Sequence, residues 1–270
     1  MVEINLNNFS GIVTGGASGI GKAIVKKLLE AGAEVIIADI NENEGKKTLE
    51  ELNEFKDKLE FIKTDVSKKI EVENLVMKTI EKFKKIDYLV NNAGILIPRL
   101  LVDPQGKEEI TEEIFDKMVN INQKGYLLCA QAVVREMIKR KKGVIVNMAS
   151  ESALEGSEGQ SVYAATKAAI YSVTRSWAKE LGKYNIRVVG VAPGILEPTA
   201  LRNPEYERAL AYTRGITVEE LRKSYEKVSI PLRRVGKLEE VANLVCFLIS
   251  DLASYITGTT INISGGKSRA

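Results

Sequence analysis

Histidine is absent from all 270 residues. That absence excludes Ser-His-Asp hydrolysis, Cys-His proteolysis and a His-ligated zinc. Cysteine is nearly absent too. Cys129 and Cys246 each sit in an apolar helical pattern, LLCAQAV and VANLVCFLI. Two buried free thiols in a reducing, cytoplasmic compartment are expected, with no metal site. Long hydrophobic runs are missing, so nothing approaches the ~18 apolar residues that a membrane span needs. The opening MVEINLNNFSGIV carries no basic leader ahead of an apolar stretch, and no secretory signal is expected. Charge of either sign is not in excess: 39 basic against 36 acidic residues give +3. That balance argues against nucleic acid or a membrane surface as partner. Any acid–base chemistry must therefore use Tyr, Lys, Asp, Glu or an assisted Ser.

What the chain does have is regular alternation of short apolar runs and helical patterns. FSGIVTG, EVIIADI, KLEFIKTDV, DYLVNNAG, GVIVNMAS, IRVVGVAPG and TTINIS read as strands with helices between them. This predicts an α/β fold, a mainly parallel sheet with helices on both faces, as one domain over 1–270. The stretch 112–141 reads as one long helix. Residues 195–235 are long for a connection and rich in charge, Tyr and Pro, which predicts a helical substrate lid.

In such sheets ligands bind outside the carboxyl ends of the strands. After the first strand comes TGGASGIG, with Gly15, Gly19 and Gly21 spaced to let backbone approach a pyrophosphate at a helix N-terminus. The second strand ends at Asp39, where a carboxylate suits ribose hydroxyls and repels a 2′-phosphate, favouring NAD over NADP. Asp65-Val66 ends the third strand, and Asn91-Asn92-Ala93-Gly94 the fourth.

YAATK places Tyr163 and Lys167 one helical turn apart on one face. A phenol titrates near 10, too high for a base at neutral pH, unless the lysine ammonium together with the positive ring of an oxidised nicotinamide favours the phenolate. The expected direction is therefore downward for Tyr163. Ser150, ending the fifth strand, is placed to hold a substrate oxygen beside that phenol. Asn122, a polar amide amid an apolar helical pattern, either carries a water toward the lysine or is a satisfied core amide.

Together TGGASGIG, Asp39, Asp65-Val66, NNAG, Asn122 in VNINQKG, Ser150, YAATK and Pro193-Gly194 resemble the short-chain dehydrogenase/reductase family over nearly the whole chain. The resemblance implies a Rossmann-type doubly wound sheet in three α/β/α layers and a nicotinamide cofactor. It also implies an Asn122–Ser150–Tyr163–Lys167 catalytic set and a homotetramer. Ser18, Ile20, Asn92, Ala93, Gly94, Tyr163, Lys167, Pro193, Gly194 and Ile195 join the three glycines, Asp39, Asp65 and Val66 as implied cofactor contacts. Val189 departs from the family, which often has asparagine there, and is expected to affect packing alone.

Within the family, 150–161, 192–222 and the tail after 253 are similar to members that act on a sugar-alcohol phosphate. The implied reaction is oxidation of D-sorbitol 6-phosphate to fructose 6-phosphate by NAD. Such a substrate needs cations at one end and hydroxyl partners along its length. Arg99 and Arg202 are the first expectation for the phosphate, with Lys124 and Arg214 also in range. Glu151, Glu155 and Glu158 are candidate hydroxyl acceptors beside Ser150. Another polyol, acetoin or a 3-oxoacyl substrate is the alternative within the family, and a non-catalytic cofactor sensor the alternative outside it.

Overall fold

The computed structural model describes residues 4–199, 202–226 and 230–268. Residues 200–201 and 227–229 of the expected 195–235 lid lie outside the described residues, as do the first three and last two positions.

Among the described residues, seven strands form one sheet: β1 Ser10–Thr14, β2 Glu34–Asp39, β3 Leu59–Lys63, β4 Tyr88–Asn91, β5 Gly143–Met148, β6 Ile186–Pro193 and β7 Thr260–Ile263. Every pairing is parallel, in the order β3-β2-β1-β4-β5-β6-β7. All seven coincide with the apolar runs read from the sequence. The order reverses between β1 and β4, which opens a crevice at their carboxyl ends.

Connections supply the outer layers. They are α1 Gly19–Glu30, α2 Glu42–Glu51, α3 Lys69–Phe83, α4 Glu112–Val119, α5 Gly125–Arg140, α6 Ser152–Glu155, α7 Ser161–Leu181, α8 Pro204–Thr213, α9 Val218–Glu226 and α10 Leu238–Ile249. Side chains alternate across each strand. Thus Val13, Ile37, Val90 and Val146 meet α1 and α10 on one face, while Ile12, Ile36, Leu89 and Ile145 meet α3, α5 and α7 on the other. Cys129 and Cys246 are buried free thiols, one in each core. Val189 is fully buried in the first core, consistent with a packing role.

One departure from the sequence reading shapes the site. The expected single helix over 112–141 is interrupted by a π turn at Asn120–Lys124, between α4 and α5. Such insertions re-aim a helix locally, and this one carries Asn122 inward, fully buried. The lid contains two helices. Asn203 starts α8 by accepting from Tyr206 N at 2.8 Å, with Pro204 following it, and α8 and α9 bury Leu210, Ala211 and Leu221 against each other. Tyr212 Oη donates to the Asp103 carboxylate at 3.0–3.1 Å, tying α8 to the loop after β4.

Candidate active site

Two adjoining cavities open at the carboxyl edge of the sheet. The smaller, about 260 Å³, is lined by Gly15, Ser18, Gly19, Ile20, Asp39, Asp65, Val66, Asn92, Ala93 and Gly94. The larger, about 450 Å³, holds Ser150, Tyr163, Pro193, Gly194, Ile195 and the lid. Ile20 and Thr199 line both.

The smaller chamber suits a dinucleotide. Gly15 and Gly19 take φ of +63° and +52°, a conformation L side chains rarely adopt. The first turn of α1 holds no acidic residue, and the Ser18 side chain makes no cap, so the amide end of the helix is left for an anion. Gly21 does not line the chamber. A Cβ there would stand 2.0 Å from Gly15 O and 2.7 Å from Asn92 Nδ2, so its role is close packing of α1 on the loop. Asn92 Nδ2 donates to Thr14 O and Gly15 O, both at 3.0 Å, and Thr14 Oγ1 accepts from Asn92 N and Ala93 N, which locks β1 to the NNAG turn. Asp39 accepts from Ala17 N at 3.1 Å and Asn41 N at 3.0 Å, so its carboxylate is fixed at the chamber wall. Asp65 is likewise held, by Ser67 N and Oγ.

Tyr163 and Lys167 face the junction from α7. Tyr163 lines the large cleft beside Ser150, close enough for the serine hydroxyl to act on its titration. Ser150 Oγ accepts from Ser152 Oγ at 3.0 Å and Ser152 N at 3.3 Å. Lys167 is buried behind the phenol and donates to Met148 O at 2.7 Å and Tyr126 Oη at 3.2 Å. Burial dominates both titrations. It pushes Tyr163 up to about 12, against the smaller lowering effect of the Ser150 hydroxyl, and Lys167 down to about 7. The protein alone thus shifts Tyr163 upward through burial, and the lowering expected from the sequence needs the oxidised nicotinamide's charge as well as Lys167. Asn122 accepts from Ile95 N and donates to Ile95 O, both at 2.9 Å, and donates to Thr166 Oγ1 at 3.1 Å. Its side chain is a satisfied amide that pins the segment after NNAG to α7.

Of the expected substrate residues, Ser150, Glu151, Glu155, Arg202 and Arg214 line the large cleft. Arg99 and Lys124 do not. Arg99 is paired with Glu108 at 2.6 Å and bonded to Pro98 O at 2.7 Å, and Lys124 is exposed at the end of the π turn. Glu158 is also outside the lining. Arg202 stacks 3.7 Å from the Tyr225 ring centroid, and Arg214 donates to Ser157 Oγ at 3.2 Å. The sequence reading missed Lys267, Gln160, Tyr206 and Tyr225 in the cleft, and Tyr126 beneath it. Lys267 pairs with Glu151 at 2.6 Å across 116 positions, a distance no local pattern encodes.

A glycine-rich strand–helix turn, a carboxylate after β2 and a Ser–Tyr–Lys group at one edge of a parallel sheet define a nicotinamide-dependent oxidoreductase. The chain belongs to the short chain dehydrogenase family, whose model matches residues 11–209. It is 58% identical over 269 residues, 98% of each chain, to the sorbitol-6-phosphate 2-dehydrogenase of Klebsiella pneumoniae. It is 40% identical over 256 residues, 94% of this chain and 96% of the other, to the 3-oxoacyl-[acyl-carrier-protein] reductase FabG of Thermotoga maritima. Among solved structures, the 3-ketoacyl-(acyl-carrier-protein) reductase of Brucella melitensis complexed with NADH superposes with a TM-score of 0.82. The two are 29% identical, and the match covers 98% of this chain and 100% of that one. The protein is accordingly an enzyme acting on a CH–OH group or its carbonyl, which sets aside the non-catalytic sensor.

Proposed function

We propose that the enzyme oxidises a sugar-alcohol phosphate, D-sorbitol 6-phosphate to fructose 6-phosphate, with NAD as acceptor. One observation carries this reading: the cleft that holds Ser150 and Tyr163 also holds Arg202 and Arg214, and these arginines meet neutral groups. Guanidinium groups of this kind suit a phosphate dianion. The 58% identity to a sorbitol-6-phosphate 2-dehydrogenase supports the same substrate. For the cofactor, the small chamber presents Asp39 and Asp65 and no basic side chain among its lining residues, which favours NAD over NADP.

In this reading Ser150 Oγ holds the reacting hydroxyl and Tyr163 Oη takes its proton. When bound, the oxidised nicotinamide supplies the hydride acceptor and one positive charge. Moving the phenol from about 12 to neutrality corresponds to about 7 kcal/mol. Lys167 Nζ lies 5.8 Å from the Tyr163 ring centroid and, when protonated, favours the phenolate. Lys167 is held in place for this by its bonds to Tyr126 Oη and the Met148 carbonyl. Asn122 positions this group through Thr166 and Ile95. Residues 1–270 act as one domain, in the cytoplasm and as a homotetramer.

Steady-state kinetics on D-sorbitol 6-phosphate, free sorbitol, acetoin and a 3-oxoacyl thioester test the assignment. The phosphate is expected to raise kcat/KM by at least tenfold over free sorbitol. Equal values for the two sugars, or preference for the thioester, would remove the proposed substrate.

A further inference from the structure

The tail after β7 delivers a cation that no motif singles out. Gly265 and Gly266 take φ of +65° and +88° and turn the chain back. Ser268 N donates to Ser264 Oγ at 3.2 Å, and Asn262 Nδ2 to Ser268 Oγ at 2.7 Å, which holds the turn shut. The turn brings Lys267 Nζ to 2.6 Å from Glu151 Oε1, and Lys267 lines the large cleft.

Glu151 is the unusual member of this pair. It is 7% exposed, and its Oε2 has no hydrogen-bond partner among the described residues. That oxygen lies against Gly194, where a Cβ would stand 2.8 Å from it. The cation beside this buried carboxylate compensates its desolvation. An ammonium carries three donors, and one is used on Oε1. The others remain for a ligand in the cleft, next to Ser150.

The charge bookkeeping separates Lys267 from the arginines. Glu151 cancels the charge of Lys267, so the pair has no net pull on an anion but still offers strong, oriented N–H donors. Arg202 and Arg214 meet neutral groups and keep their charge. Three cations in one cleft thus fall into two kinds.

We infer that Lys267 is a specificity residue that donates to an uncharged hydroxyl oxygen of the polyol chain, close to the reacting carbon. Arg202 and Arg214 take the anionic end. This inference rests on the polyol phosphate reading above.

The test compares wild type, Lys267→Met and the double variant Glu151→Gln/Lys267→Met. Substrates are D-sorbitol 6-phosphate and its singly deoxygenated analogues, and inorganic phosphate is the inhibitor. Lys267→Met should lose about tenfold or more in kcat/KM on the full substrate. The loss should shrink to under twofold on the one analogue that lacks the recognised hydroxyl, with the inhibition constant of phosphate unchanged. The double variant removes both charges of the pair together and should repeat this pattern, which separates recognition from misfolding. An equal loss on every analogue would overturn the inference. So would phosphate inhibition weakened as much in Lys267→Met as in Arg202→Ala. If the wild type shows no preference for a phosphorylated polyol, the substrate reading fails on wild-type data alone. The same comparison then runs on free sorbitol and its deoxy analogues.

Discussion

Lys167 donates to the Met148 carbonyl at 2.7 Å while its ammonium stands 5.8 Å from the centre of the Tyr163 ring. The lysine is therefore anchored to the sheet and reaches the phenol through space. Replacing Tyr163 with Phe removes the proton acceptor and leaves the chamber untouched. Turnover should fall by roughly 10²-fold or more, with NADH binding, followed by fluorescence, within twofold of wild type. Substantial residual turnover would remove Tyr163 from the proton path.

Lys167 also predicts a pH dependence of stability. Its pKa is about 7 in the folded protein against an ordinary value of 10.5. Between those values the unfolded chain binds the extra proton, so stability rises with pH across the window. Tyr163, raised to about 12, acts in the opposite direction only above pH 10. Urea unfolding of wild type and Lys167→Met at pH 7.5 and 9.5 checks this. Wild type should gain about 2 kcal/mol relative to the variant. Parallel behaviour of the two proteins would contradict a desolvated lysine.

Asp39 is fixed by two backbone amides at the wall of the smaller chamber. Asp39→Ser removes its charge and keeps a hydrogen-bonding group. The ratio of kcat/KM for NADP to that for NAD should rise by about tenfold, equivalent to ~1.4 kcal/mol. An unchanged ratio would show that Asp39 does not face the ribose.

The arginines separate cleanly by partner. Arg202→Ala and Arg214→Ala should each raise KM for the phosphorylated polyol by about tenfold or more. Arg99→Ala, which breaks only the Glu108 and Pro98 contacts, should change KM less than threefold. The reverse order would return the phosphate to Arg99 and remove Arg202 and Arg214 from its site.

Gly21→Ala forces a methyl to within 2.0 Å of Gly15 O, a backbone atom that cannot step aside. The variant should lose about 1–3 kcal/mol of stability and most of its nucleotide affinity. A thermal melt paired with an NADH titration reads both.

The strands, the glycine turn and YAATK were legible because each is local: an apolar run, a spacing, a helical period. The same holds for Asp39 and Ser150, which lie at strand ends where ligands gather. What was not legible depends on contacts distant in sequence or on burial. Arg99 looked free in GILIPRL, yet Glu108 claims it across a loop. Lys267 looked like a tail residue, yet two glycines return it to Glu151. The π turn at Asn120–Lys124 leaves no mark on helical periodicity, since one extra residue per turn is not a composition signal. The sign of the Tyr163 shift followed from how much water the fold removes, which a neighbour four residues away does not reveal.

Ile20 and Thr199 form a party wall between the two cavities, and a Cβ on Gly19 would already press on Thr199 at 3.3 Å. Whatever fills the first room therefore finishes the plaster of the second. The enzyme should admit its reactants as a queue, dinucleotide before sugar, and the sugar alone should find a doorway without a jamb.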